Sequence, residues 1–364
     1  MPDVSGLDVA VVGAGNGGLA VAGYAGLGGA RVRLYDIDAD RVGPVAARGG
    51  IDVSGVVSGF APVEVATTDA SLALADAHIV VLVVAGPDQA TAARELTEHI
   101  PPSSYLVVKP GCTGGALEVR DVLTRGGRSD VTVGETDSFL FACTVPSPAT
   151  SHVSAVKRAL GVAVLPPERA DALLAAVRIL FPQASLLPTV LHSGFANMNA
   201  VAHVGPMLLN AGRIEHTRGG FEFYGDGITP AVARVVSTYD DERVAAAAAY
   251  GVSVPTFRDW IATTYGIVGS STYDVVQQLQ HEVYRTSPAP ASLSHRYLLE
   301  DVPCGAVPTA SLGRAARVSM PVHESLVELA GIAHDCDYWS IGRSAERLGL
   351  AGKDAAQITE LVSA

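Results

Sequence analysis

A chain of 364 residues exceeds the size at which one hydrophobic core keeps growing, so two domains are the starting expectation. Apolar residues make up 48% and charged residues 17%, the balance of a globular chain with a large core. A formal charge of −12 with no basic block offers no phosphate-neutralising face, which argues against a nucleic-acid partner and against anionic membranes. The cysteines (Cys112, Cys143, Cys304 and Cys336) are widely spaced with no CxxC pair, which fits a reducing compartment and gives no zinc-ligand spacing.

The first predicted element is the most informative. Leu7 to Gly18 reads LDVAVVGAGNGG, an apolar strand running into Gly13-x-Gly15-x-x-Gly18. In a dinucleotide-binding turn the first glycine permits the tight turn and the second lets backbone approach a pyrophosphate. The third lets the next helix pack closely on the strand. The pattern alone is weak in a chain with 38 glycines, but here a helical stretch follows (Leu19 to Leu27), then a strand from Arg31 to Tyr35 ending at Asp36. An acidic residue about twenty positions beyond the glycines is where a carboxylate holds ribose hydroxyls. The expected cofactor-binding set is therefore Gly13, Ala14, Gly15, Asn16, Gly17, Gly18 and Asp36. Asp36 favours NADH by accepting from a ribose diol. NADPH stays open, because Arg41, one turn into the next helix, is placed to fold over a 2′-phosphate.

The run Val9 to Ala30 carries no charge for 22 positions, yet its eight glycines suit a turn and helix packing rather than a membrane span. Met1 to Asp8 has no basic n-region, so the run reads as a buried strand and helix of a cytoplasmic protein. Beyond it, strands and helices alternate. A helix capped by Asp38 runs to about Arg48, and Ile51 to Thr67, glycine-spaced and alternating, suggests a small hairpin. Ala77 to Val84 has the continuous apolar character of a strand buried on both faces. Helix Asp88 to His99, strand Tyr105 to Lys109, helix Gly115 to Leu123 and strand Val131 to Gly134 follow. This alternation predicts an α/β domain with a doubly wound parallel sheet, its ligand lying beyond the strand ends near Gly13, Ala85 and Gly111. Strands Ser151 to Lys157 and Val162 to Leu165 and a helix from Pro167 to Phe181 complete a domain spanning 1–187.

Residues 188–364 read as a mostly α-helical domain: Val190 to Asn210, Pro230 to Tyr250, Val254 to Tyr265, Tyr273 to Tyr284, Pro321 to Ala333 and Ile341 to Leu348. A cleft between the two domains is the expected active site. A dehydrogenase needs a proton donor or acceptor beside the carbon that takes the hydride, and His203 is the candidate. Asn199 lies one helical turn earlier on the same face, and Gly205-Pro206 is expected to interrupt the helix. By spacing alone, a histidine on an apolar helix reads as readily as a satisfied core residue. A second cluster holds Arg296, whose planar fork suits a carboxylate, and Asp301, which can orient a histidine; a surface ion-pair segment explains it too.

The stretch HSGFANMNAVAHVGP from His192 to Pro206, with NAGRIE (Asn210 to Glu215), resembles the opine dehydrogenases, the family of octopine and nopaline dehydrogenases. FYGDGITP (Phe223 to Pro230), YDDER (Tyr239 to Arg243) and RYLLEDVP (Arg296 to Pro303) match as well, and the resemblance spans essentially the whole chain. It implies an NAD(P)-dependent Rossmann domain followed by a helical domain. The implied reaction is reductive condensation of an amino acid with a 2-oxo acid, often pyruvate, through an imine to a secondary-amine dicarboxylate. The resemblance maps the catalytic histidine onto His203 and its partner aspartate onto Asp301.

Glu135 is a candidate for the substrate ammonium and Thr136 for a carboxylate; each reads equally as a cap on a strand end. The expected partners are these small molecules, with a homodimer as the one macromolecular candidate. The first rival is a hydroxy-acid dehydrogenase of the same two-domain plan, which would need a lysine near its site. Lys109, Lys157 and Lys353 are the only lysines, and none falls in the central motifs of the second half. A non-catalytic dinucleotide sensor is the second rival.

Overall fold

The computed structural model describes residues 2–363. They divide into two units, one reaching to Ser193 and including the chain from Val362, the other running from Gly194 to Leu361. The division falls later than residue 187 because the chain beyond it stays tied to the first unit, where the Ser193 hydroxyl donates to Glu135.

The first unit carries the twelve named strands of the described residues: β1 (Asp8–Val12), β2 (Arg31–Tyr35), β3 (Gly50–Gly55), β4 (Gly59–Pro62), β5 (Val65–Thr67), β6 (Ile79–Leu82), β7 (Tyr105–Val108), β8 (Thr132–Thr136), β9 (Phe141–Thr144), β10 (Thr150–Val156), β11 (Leu160–Leu165) and β12 (Ala184–Leu186). Eight of them form one sheet in the order β12-β11-β8-β7-β6-β1-β2-β5. From β5 to β8 every neighbouring pair is parallel, as the alternation predicts. At the far edge β11 runs antiparallel to β8, with β12 parallel to β11. A parallel neighbour needs a crossover, usually helical, and the chain between β8 and β11 holds only strands. The strand order reverses across β1, so Gly13 after β1 and Ala85 after β6 lie at the switch point where such sheets bind ligands.

A second sheet, β4-β3-β10-β9, was not expected from the sequence. It explains the charge-free run. The helix Asn16–Leu27 is buried along Gly18 to Gly26, because the first sheet covers one side and the second sheet the other. A helix enclosed on both sides is apolar all round rather than striped. Its glycines admit the second sheet: a Cβ at Gly23 would come within 2.7 Å of the Val53 side chain, and one at Gly26 within 2.8 Å of the Pro62 carbonyl. Tyr24, Phe141 and Phe181 close this core with ring centroids 5.1 to 6.3 Å apart.

The second unit is helical, with three departures from expectation. Val190 to Asn210 is two helices, Val190–Phe195 and Met198–Leu209, because the Asn197 side chain caps the second by accepting from the Asn199 amide. Gly205-Pro206 does not interrupt that second helix. The proline removes one donor, and its own carbonyl is taken up by both the backbone and side-chain nitrogens of Asn210. No helix spans Ile341 to Leu348; a short helix, Tyr338–Ile341, capped by Asp337, ends at Gly342, and turns follow. Two π-helical turns, Gln280–Tyr284 and Val302–Ala306, also escape a reading based on a 3.6-residue period.

Candidate active site

In the first unit the glycine turn has the geometry its sequence demands. Gly13 has φ +102°, and a Cβ there would lie 2.4 Å from the Val83 carbonyl oxygen. A Cβ at Gly18 would stand 1.6 Å from the Gly13 carbonyl oxygen, so only glycine lets the helix start this close to β1. Gly15 caps the helix without a side chain, leaving its first amides to an anion, while Asn16 and Gly17 begin the helix. Asp36, 7% exposed, accepts from the Ala14 amide at 2.6 Å and the Asp38 amide at 3.0 Å. The carboxylate thus fixes the turn. Arg41 stands 3.7 Å from it and also pairs with Asp38, so the guanidinium beside the turn is already neutralised. Ala85 is exposed just beyond β6. These residues fit a dinucleotide: the turn is a cradle that side chains would fill.

The structure turns Glu135 and Thr136 to internal partners. Both are fully buried. The Glu135 carboxylate accepts from the Ala116 amide at the start of helix Gly115–Arg125 and from the Ser193 hydroxyl, and the Thr136 hydroxyl donates to the Ser138 carbonyl. The alternation that buries β8 on both faces also turns these polar groups inward, where only internal partners can satisfy them.

In the second unit His203 and Asp301 meet. His203 Nδ1 lies 2.7 Å from Asp301 Oδ2, with the two residues 5% and 2% exposed. The helix Met198–Leu209 presents Ala200 to Gly305, where a Cβ would stand 2.6 Å from the alanine's own. Two small residues therefore let the π-turn Val302–Ala306 approach closely, and Asp301, just before that turn, reaches the histidine one helical turn beyond Ala200. Burial pushes the Asp301 carboxyl above its usual value, and the hydrogen bond with His203 opposes this.

Two tyrosines complete the site. Tyr297 stacks on the imidazole at 3.6 Å and 12°, and the Tyr224 hydroxyl lies 3.0 Å from Nε2. The sequence reading missed both as functional residues, although both stand in the quoted motifs FYGDGITP and RYLLEDVP. The missing signal was spatial: nothing in the chain says that Tyr224, Tyr297 and Asp301 converge on a histidine up to 98 residues away. Tyr224 is delivered by a stapled loop. The Asn210 side chain donates to the Gly227 carbonyl, and Gln277 donates to the Gly225 and Ile228 carbonyls. Arg296 has a 57% exposed side chain and pairs with Glu300 through two nitrogens, at 2.9 and 3.1 Å. Asn199 is exposed one turn before His203.

Comparison with known proteins decides the family. The opine dehydrogenase of Arthrobacter sp. (strain 1C) is 38% identical over 354 residues, covering 97% of this chain and 98% of that protein. The chain belongs to the opine dehydrogenase family. A family profile described as NAD/NADP octopine/nopaline dehydrogenase, alpha-helical domain, matches residues 186–334. Solved octopine dehydrogenase structures, one with NADH and L-arginine and one with NADH and pyruvate, share the fold at TM-score 0.79, with 20% and 19% identity over 97% of this chain and 98% of theirs. A yersinopine dehydrogenase with bound NADP+ does so at TM-score 0.70, with 17% identity over 99% of this chain and 98% of its own. This opine dehydrogenase homologue is thus an NAD(P)-dependent oxidoreductase acting on a CH–NH group, which reductively condenses an amino acid with a 2-oxo acid.

One quoted family motif proves to be scaffold. In YDDER, Arg243 is buried, pairs with Asp240, and donates to the Phe195 and Pro255 carbonyls. Glu242 holds His323 through Nδ1 at 2.8 Å and accepts from the Val322 and His323 amides. Burial alone would raise the Glu242 carboxyl; these hydrogen bonds outweigh it and hold the pKa below the usual value.

Proposed function

We propose that His203 is the acid–base residue of this opine dehydrogenase, with Asp301 as its partner and pyruvate as the 2-oxo acid. The observation that carries this reading is the buried imidazole held at Nδ1 by a carboxylate, with a hydroxyl at Nε2. A carboxylate behind Nδ1 fixes the ring orientation and stabilises the imidazolium, so the proton that is exchanged sits on Nε2. Arg296 is assigned to the oxo-acid carboxylate. Its planar fork suits two oxygens, and one Glu300 carboxylate oxygen accepts from both Nε and a terminal nitrogen, so a substrate carboxylate takes the place of a carboxylate already accommodated there. Asn199, on the exposed face one turn from His203, is assigned to substrate binding as a polar contact.

Gly13, Ala14, Gly15, Asn16, Gly17, Gly18, Asp36 and Ala85 are assigned to the dinucleotide, which supplies the hydride when bound. We assign NADH as the preferred form, because Asp36 accepts from a ribose diol and repels a 2′-phosphate, while Arg41 is neutralised by two aspartates. We assign the enzyme to the cytoplasm, because the chemistry calls for reduced nicotinamide and 2-oxo acids.

A matrix of amino acids against 2-oxo acids, following NADH and NADPH absorbance, tests the reading. NADH oxidation is expected only when amine and oxo acid are both present, faster than with NADPH, and fastest with pyruvate as the oxo acid. Robust oxidation with an oxo acid alone, unchanged by any amine, moves the chain to hydroxy-acid chemistry.

A further inference from the structure

His203 has no exposed reacting nitrogen. Asp301 takes Nδ1, Tyr297 covers one ring face, and the Tyr224 hydroxyl stands against Nε2 at 3.0 Å. Only 5% of the histidine is exposed, whereas Tyr224 is partly exposed and its ring stacks on the exposed Tyr284, with centroids 5.2 Å apart at 18°. The hydrogen-bonded chain Asp301–His203–Tyr224 therefore ends in the phenol oxygen, which also hydrogen-bonds to Tyr297.

We propose that Tyr224 is a catalytic residue whose hydroxyl touches the reacting substrate and passes the proton between it and His203. This rests on the assignment of His203 given above. A phenol hydroxyl suits the position because it donates and accepts at once. With His203 neutral, Nε2 accepts the Tyr224 proton; with His203 cationic, Nε2–H donates to the Tyr224 oxygen. Burial, first, and the neighbouring Tyr297, Tyr284 and Asp301 push the Tyr224 pKa well above the usual phenol value, so the group relays a proton without ionising.

The step that needs this relay is loss of water from the carbinolamine formed by the amine and the oxo acid. The Tyr224 proton passes to the leaving hydroxyl as its C–O bond breaks, and that electron pair departs with water. The nitrogen lone pair forms the C=N bond of an iminium. The His203 Nε2 proton passes at the same time to the Tyr224 oxygen, so Tyr224 is unchanged and His203 ends neutral. Nothing is oxidised or reduced until the hydride arrives in the following step.

Tyr224→Phe keeps the ring and its stacking on Tyr284 and removes only the hydroxyl. With pyruvate and the amino acid that reacts fastest with it, kcat is expected to fall roughly 100-fold or more, with KM for both substrates within about threefold. The melting temperature should stay at the wild-type value, and the kcat pH profile should change shape. A purely structural role would move KM and melting together and leave the shape of the pH profile intact. A Tyr224→Phe variant with wild-type turnover overturns the relay. Should that variant not fold, single-turnover rates of the wild-type enzyme in mixed H2O and D2O decide. A curved dependence on deuterium fraction is expected for two protons in flight, and a linear one overturns the proposal. His203→Ala, run in the same assays, separates the two readings. If it retains full activity, the His203 assignment fails. If it is inactive while Tyr224→Phe is fully active, only the relay fails.

Discussion

The glycine turn and the histidine site are built by opposite means. At Gly13 and Gly18 the structure depends on atoms that are missing: the chain closes on itself where a Cβ would stand 2.4 and 1.6 Å from carbonyl oxygens. At His203 it depends on side chains that arrive from three segments of the sequence and satisfy one another. A backbone device is local, so it is written in consecutive residues. A side-chain device is assembled by packing, so its members carry no mutual spacing. The two regions also differ in how they treat buried charge. The second unit pairs its ionisable groups, His203 with Asp301, His323 with Glu242 and Arg243 with Asp240. In the first unit the Lys109 ammonium is fully buried with no hydrogen-bond partner, resting 4.3 Å from the centroid of the Phe181 ring.

The largest expected effect breaks the paired site while sparing the turn. His203→Ala should lower kcat by roughly two to four orders of magnitude, with NADH affinity within about twofold of wild type by fluorescence titration. Asp301→Asn should lower it by a similar order and change its pH dependence. Burial holds the Asp301 carboxyl above the usual range, so wild-type activity should fall on acidification at a pH above that of an ordinary carboxylate, as Asp301 gains a proton and stops accepting from Nδ1. The asparagine variant should lack that limb. If either variant retains near-normal turnover, the paired-site assignment is wrong.

A smaller effect sharpens the contrast in buried charge. Burial lowers the Lys109 pKa from the usual 10.5 to about 7, with Asp137 opposing the shift and Lys157 adding to it. The folded chain therefore binds fewer protons than the unfolded chain between about pH 7 and 10.5, so this lysine's contribution to stability improves as pH rises through that window. Lys109→Met removes the ammonium and keeps an apolar stem among the rings. The variant should be more stable than wild type by a few kcal/mol, on the order of the linkage of such a shift, near pH 7. The advantage should shrink steadily toward pH 10 in denaturant titrations. A constant gap across that range would show that the lysine does not titrate there.

How far the sequence could be read follows the same contrast. The switch-point sheet, Asp36 and the glycine turn were legible because strand runs, βα spacing and missing side chains are local signals. The second sheet was not, since β3 and β10 pair across about a hundred residues and only the all-round apolar helix between the two sheets hinted at a second cover. His203 and Asp301 were placed together by family resemblance rather than by spacing. The same resemblance gave no warning that Glu135 turns inward, because a buried carboxylate accepting from Ala116 and Ser193 reads in sequence like one facing solvent. Tyr224 and Tyr297 were quoted within motifs without a role, because their contacts with His203 exist only in the fold, Tyr224 beside the loop at Gly225–Ile228 stapled by Asn210 and Gln277 and Tyr297 on the short helix Arg296–Leu299.

The smallest predicted effects test the backbone half of the comparison with one methyl group placed at two glycines. At Gly18 the added Cβ meets the Gly13 carbonyl oxygen at 1.6 Å, which neither backbone can accommodate without moving the helix off β1. Gly18→Ala should destabilise by about 1–3 kcal/mol, as overpacking does, and should weaken NADH binding because the amides at the helix start move with it. At Gly212, exposed inside helix Ala211–Thr217, an added Cβ meets nothing within 4 Å. There the same methyl should stabilise by about 0.5–1 kcal/mol by restricting the unfolded chain and favouring the helix, with NADH affinity untouched. Opposite signs in thermal melts, with a binding defect only at Gly18, are the expected pair. Equal effects at both positions would mean that the turn tolerates side chains, and that its fit to a dinucleotide does not depend on missing atoms.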